Sequence, residues 1–210
     1  MDVYAVNAFT FWDMMIEGLY YFERTCKILS DKIGFFVKQD LSPTTEEILD
    51  EEELKKHKVF YFSGHGLYSE PVNRDGEYFW GIVVYNTVLG FKVKKYTYEI
   101  SPKDIMSLNL PEYDLVFINT CGSGYNSGYD EISFKKAFNA KGYIGWKYSP
   151  DILQALKFGY VFFDECKNID KDTGKRKTIY KAFEFACDKL NIDKGIFFIS
   201  DETKEIILGE

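Results

Sequence analysis

Two short runs constrain the fold more than anything else in the chain. Val59–Phe62 (VFYF) and Leu115–Ile118 (LVFI) are apolar at every position. A strand with one wet face alternates apolar and polar residues. A strand without alternation is covered on both faces, as in a parallel sheet flanked by helices. The surrounding pattern fits that plan. Val3–Phe9, Phe35–Val37, Gly142–Trp146 and Ile196–Ser200 also read as strands, and the Leu115 strand extends to Asn119. Phe11–Ser30, Ile132–Asn139, Asp151–Cys166 and Thr178–Leu190 read as helices. A further helix starts at Thr44 or Thr45 and runs toward His57, with acids in its first turn where the helix dipole favours them. A short one is capped by Ser101 with Pro102 in its first position. Tyr78–Tyr85 and Leu89–Tyr98 suggest an antiparallel hairpin. Strands and helices alternate, so residues 1–210 are expected to form one α/β domain. It would be a three-layer sandwich with a mostly parallel sheet, helices on both faces and a small β-hairpin insertion.

Composition supports a packed core and narrows the partners. Hydrophobic residues make up 46% of the chain and aromatics 18%. Lys and Arg number 26 against 33 Asp and Glu, a net charge of −7, which disfavours a general nucleic-acid binder. The start of the chain carries Asp2 and Asp13 and lacks the basic region of a signal peptide. No apolar run has the length of a membrane span. Cys26, Cys121, Cys166 and Cys187 form no Cys-x-x-Cys pair, so free thiols in a reducing compartment are expected. The expectation is therefore a cytoplasmic protein with neither nucleic-acid nor membrane partners.

The candidate chemistry sits where the two apolar runs stop. The first ends in Ser-Gly-His-Gly, placing His65 just past a strand; the second ends in Asn-Thr-Cys-Gly-Ser-Gly, placing Cys121 just past another. Functional groups of open parallel sheets collect beyond the carboxyl ends of the strands. If the two strands are neighbours about 4.8 Å apart, imidazole and sulfur meet. A cysteine attacks as thiolate, and a histidine takes its proton and later protonates a leaving amine. Donors for the developing oxyanion are expected from the amides of Gly66 and Cys121. Other readings of these segments are weaker. GSGYNSG resembles a phosphate loop, but its third glycine falls one residue late for the dinucleotide fingerprint. A zinc site built on His57, His65 and cysteines lacks any ligand pair at metal spacing. His57 reads as an exposed helix-end residue, and DEEELKK as a solvated helix face. Trp12 and Trp80 read as packing residues. Cys26, Cys166 and Cys187 read as inert core thiols. KNIDKDTGKRK reads as a surface loop or, alternatively, a processing site.

FYFSGHG and LVFINTCGSG resemble the histidine and cysteine motifs of the caspase-like superfamily of cysteine peptidases. AFNAKGYIGWKYS is similar to the next strand of its CHAT and gingipain-like members, and KTIYKAFEFACDKL to their C-terminal helix. The resemblance covers roughly residues 59–190. It implies a caspase-like fold and hydrolysis of peptide bonds in a protein or peptide substrate through a Cys-His dyad and an acyl-enzyme. His65 and Cys121 would be catalytic, Gly66 and Cys121 would form the oxyanion hole, and Asn119 and Trp146 would contact substrate. No cofactor or metal site is implied, although some members use calcium. Asn119 stands where metacaspases carry an acid, so a preference for basic residues does not transfer. An inactive, partner-binding relative would carry the same motifs.

Overall fold

The two unpatterned runs become central strands with opposite faces buried in two different cores. This computed structural model describes residues 2–9, 11–41, 43–68, 80–88, 91–124 and 133–210. The side chains of 11–17 and most of those of 80–99 also lie outside the description, and with them Trp12 and Trp80. So do the expected starts of both hairpin strands, at Tyr78 and Leu89. In chain order the elements are β1 (Asp2–Asn7), α1 (Phe11–Ile28), β2 (Phe36–Asp40), α2 (Thr45–Ile48), α3 (Glu51–Leu54), β3 (Val59–Ser63), β4 (His65–Tyr68), β5 (Trp80–Val88), β6 (Phe91–Ile100), α4 (Pro102–Met106), β7 (Tyr113–Asn119), α5 (Phe134–Ala137), β8 (Ala140–Trp146), α6 (Ile152–Cys166), α7 (Ile179–Leu190) and β9 (Phe197–Ile199). The main sheet has the order β2-β1-β3-β7-β8-β9. Its strands are parallel except β9, which runs antiparallel to β8.

Val59, Tyr61, Leu115 and Phe117 face one core with α1, α6 and α7. Phe60, Phe62, Val116 and Ile118 face the other, with Ile48, Leu54, Ile105 and Phe138 from the shorter helices. This is the three-layer α/β architecture, and it explains the missing alternation: neither face of the central strands is wet. Each large apolar side chain fully buried this way contributes roughly 1.5–3 kcal/mol. Handedness sets which helices lie on which face. The chain steps from β1 to β2 in one direction, then doubles back past β1 to β3, β7 and β8. Right-handed crossovers therefore put α1 on one face and α2 to α5 on the other. The reversal makes a switch point between β1 and β3.

Local signals end the elements as expected, with three differences. Asp151 caps α6, its carboxylate accepting from the amides of Leu153 and Gln154 at 2.9 and 3.2 Å. Thr44 and Glu47 form a capping box at α2. The helix expected to run toward His57 is instead two short ones, because Asp50 caps a second start. His57 is not exposed: it is 3% accessible, stacked on Tyr4 and bonded to Glu53 at 2.9 Å. Leu54 of α3 shares a core with Tyr4 of β1, the residue on which His57 stacks. Finally, the hairpin is part of a three-stranded sheet, β4-β5-β6, whose first strand begins at His65.

Candidate functional site

The site begins with register. Ser63 pairs with Asn119 across β3 and β7, and Asn7 of β1 pairs with Ser63. Phe9, His65 and Cys121 each lie two residues beyond that line. They share one rim of the sheet, beside the switch point where ligands of such sheets bind. Phe9 packs edge-to-face on the His65 ring, centroids 5.1 Å apart. Nothing in the sequence marked Phe9, because it reads as the last core residue of a buried strand, whereas the strand ends at Asn7. The row Asn7, Ser63, Asn119 did leave a signal: each closes an apolar run with a polar residue.

The histidine and cysteine segments touch. A Cβ on Gly66 would lie 2.2 Å from the carbonyl oxygen of Cys121 and 2.8 Å from Thr120 Oγ1. Only a residue without a side chain lets the backbones approach this closely. His65 and Gly66 are half-buried, held outside the main sheet by pairing of β4 with β5.

A web of bonds to β8 holds the turn carrying Cys121. Gly122 takes φ +70°, a conformation that favours glycine. Its amide donates to the Tyr148 carbonyl at 3.2 Å, and the Gly124 amide to the Trp146 carbonyl at 2.6 Å. Ser123 Oγ donates to the carbonyls of Ile118 and Thr120 and accepts from the Trp146 amide at 2.8 Å. Tyr143 donates its hydroxyl to the Ser123 carbonyl. The amides of Gly122 and Gly124 are thus engaged within the protein, which argues against a phosphate cradle at this turn. Gly128, the third glycine of that reading, lies outside the described residues.

Exposure separates the four thiols. Cys121 is half-buried, whereas Cys26, Cys166 and Cys187 are buried. Burial pushes the Cys26 and Cys187 thiols up to about 12 and that of Cys166 higher still, which leaves these three without thiolate character.

Asn119 and Trp146, expected at the substrate cleft, are fully buried. The Trp146 indole packs on Phe197, centroids 4.0 Å apart, and on Phe158. Its N–H donates to Asn119 Oδ1 at 2.6 Å. Both lie beneath the rim. Among the described residues no group of three or more His, Cys, Asp or Glu could hold a metal ion. No described helix is long and apolar enough to cross a membrane.

No known family model matches this chain, and no curated protein is similar enough to count as a match.

Proposed function

We propose that the protein is a cysteine endopeptidase of the caspase-like kind. The observation that carries this reading is the pairing of Ser63 with Asn119 in adjacent parallel strands, which brings His65 and Cys121 to one rim, with Gly66 against the Cys121 backbone. The mostly parallel sheet between two helical layers is the kind of fold that the resemblance of the motifs implies. In this mechanism the Cys121 sulfur, as thiolate, attacks the peptide carbonyl and its proton resides on His65. The carbonyl oxygen takes the negative charge and is met by the amides of Gly66 and Cys121. The imidazolium protonates the leaving amine as the C–N bond breaks. Water, deprotonated by His65, then hydrolyses the thioester and frees the enzyme. The substrate is a protein or peptide, and the working compartment is a reducing one such as the cytoplasm.

Alkylation tests the reading. Iodoacetamide at neutral pH is expected to label Cys121 fastest, with labelling lost in Cys121→Ala and slowed in His65→Ala. A peptide library should then be cut by the wild type and left intact by Cys121→Ala. Rapid His65-dependent labelling without cleavage of any peptide would favour the partner-binding module. Equal labelling of all four cysteines would sink the enzyme.

A further inference from the structure

Asn7, Ser63 and Asn119 form a polar row across the carboxyl ends of three otherwise apolar strands, and all three are fully buried. Buried polar groups are kept where their hydrogen bonds do something an apolar residue cannot. Asn119 is the junction of the row. Its Nδ2 donates to the Ala155 carbonyl of α6 at 2.9 Å, to the Tyr61 hydroxyl at 3.2 Å and to Ser63 Oγ at 3.4 Å. Its Oδ1 accepts the Trp146 indole N–H. One carboxamide therefore ties β7 to β3, β8 and α6 at the level where the parallel ladder stops.

We infer that Asn119 is a positioning residue for the His65–Cys121 pair, with Trp146 orienting its carboxamide from below. The inference rests on the peptidase reading of that pair. Beyond the Ser63–Asn119 line the ladder stops and the two chains follow different paths, touching again where Gly66 meets Cys121: one enters β4 of the second sheet, the other the Cys121 turn. The side-chain bonds of Asn119 cross-link them two residues before the reacting groups, and thereby set the lateral distance between the two loops. Trp146 decides which way the carboxamide points. With its N–H on Oδ1, the NH2 group must face Tyr61, Ser63 and Ala155.

The packing leaves no room for a substrate side chain at Asn119. A methyl added to Gly159 of α6 would lie 2.4 Å from the Tyr61 hydroxyl and 3.6 Å from Asn119 Nδ2, so the helix seats directly on the network. A carboxylate at 119 would bring a buried charge against the Ala155 carbonyl with no proton to donate. The position requires a neutral donor–acceptor, which suits a structural bridge.

The test uses the full chain and three variants. Trp146→Phe removes the indole N–H and keeps an aromatic ring; Ser63→Ala removes one acceptor; Asn119→Ala removes the junction. Trp146→Phe and Asn119→Ala are expected to slow iodoacetamide labelling of Cys121 about tenfold and to move its pH profile. On a cleaved peptide kcat should fall by a similar factor with KM within twofold, and Ser63→Ala should show a smaller fall. Far-UV circular dichroism monitors folding; if Asn119→Ala unfolds, the other two variants decide the matter. Wild-type labelling and pH profile in folded Trp146→Phe and Ser63→Ala would overturn the inference. A large rise in KM at constant kcat would also overturn it, because that marks substrate contact. The peptidase reading fails on a different result: wild-type Cys121 that labels no faster than in His65→Ala.

Discussion

Gly66→Ala should separate the two loops that the proposed chemistry needs together. The added methyl would lie 2.2 Å from the Cys121 carbonyl oxygen, and real Cβ contacts stay at or above 3.0 Å. The contact must therefore open by about 0.8 Å. The nearest obstacle is backbone, so rotating the Thr120 side chain, whose Oγ1 stands at 2.8 Å, would not relieve the clash. Relief comes from shifting the His65 segment against the Cys121 turn. A misplacement of about 1 Å between reacting groups costs on the order of 100-fold in rate, or roughly 2.7 kcal/mol on the barrier. The predicted loss is therefore about 30- to 100-fold, read as the rate of His65-dependent alkylation of Cys121 and as kcat/KM on a cleaved peptide. Overpacking should also cost about 1–3 kcal/mol of stability, measured by urea denaturation. Gly142→Ala is the control. There a methyl would meet the Asp114 carbonyl oxygen at 2.8 Å, near the opposite end of β8. It should lower stability and spare the reactivity of Cys121. Wild-type reactivity in Gly66→Ala, or an equal loss in Gly142→Ala, would refute the reasoning.

Further outcomes follow from other contacts. Phe9→Ala should loosen the imidazole that the ring packs against and lower alkylation of Cys121 several-fold, while Phe9→Leu keeps more of it; equal rates in all three proteins would show that the ring is idle. Thr120→Val removes a hydroxyl that is buried without a hydrogen-bond partner among the described residues, so stability should hold or rise by up to about 1 kcal/mol, and a clear fall in a thermal melt would count against that placement. The Glu53 carboxyl is held down to about 2 by bonds from Lys56, His57 and Lys38. A depressed carboxyl adds stability above its unfolded value of about 4.5 and loses it as pH falls toward 2; the stability gap between wild type and Glu53→Gln should therefore narrow between pH 5 and pH 2, and a gap that is constant over that range would refute the assignment. Arg176 donates to the carbonyls of Ile33, Leu208 and Lys32 and its loop is closed by a bridge from Ile169, so trypsin should spare this loop in the native protein and cut it faster in Arg176→Ala.

The loop around Arg176 shows where reading along the chain stops being informative. A basic stretch after a polar run reads as a plain loop, with a processing site as the lesser alternative, because nothing local says what the guanidinium meets. Its partners lie at Lys32, Ile33 and Leu208, distant in the chain. His57 is the same case. LKKHK reads as a wet helix end, yet tertiary packing puts Tyr4 over the ring. Trp146 differs, since its strand was expected and the substrate-facing side chain was an inference from resemblance alone. A parallel strand buried on both faces offers no free side, so the indole faces the core under α6.

The amino-acid sequence determined most of the elements, the parallel sheet buried on both faces and the two strand ends beyond which His65 and Cys121 stand, because apolar runs, caps and glycines act through neighbours in the chain. Tertiary structure alone decided that the Val59 and Leu115 strands are adjacent, with Ser63 opposite Asn119. It also decided that Phe9 reaches the same rim and that Asn119 and Trp146 are buried beneath it. Those outcomes depend on strand order and crossover handedness, and these are settled only when distant segments compete to cover the same apolar faces.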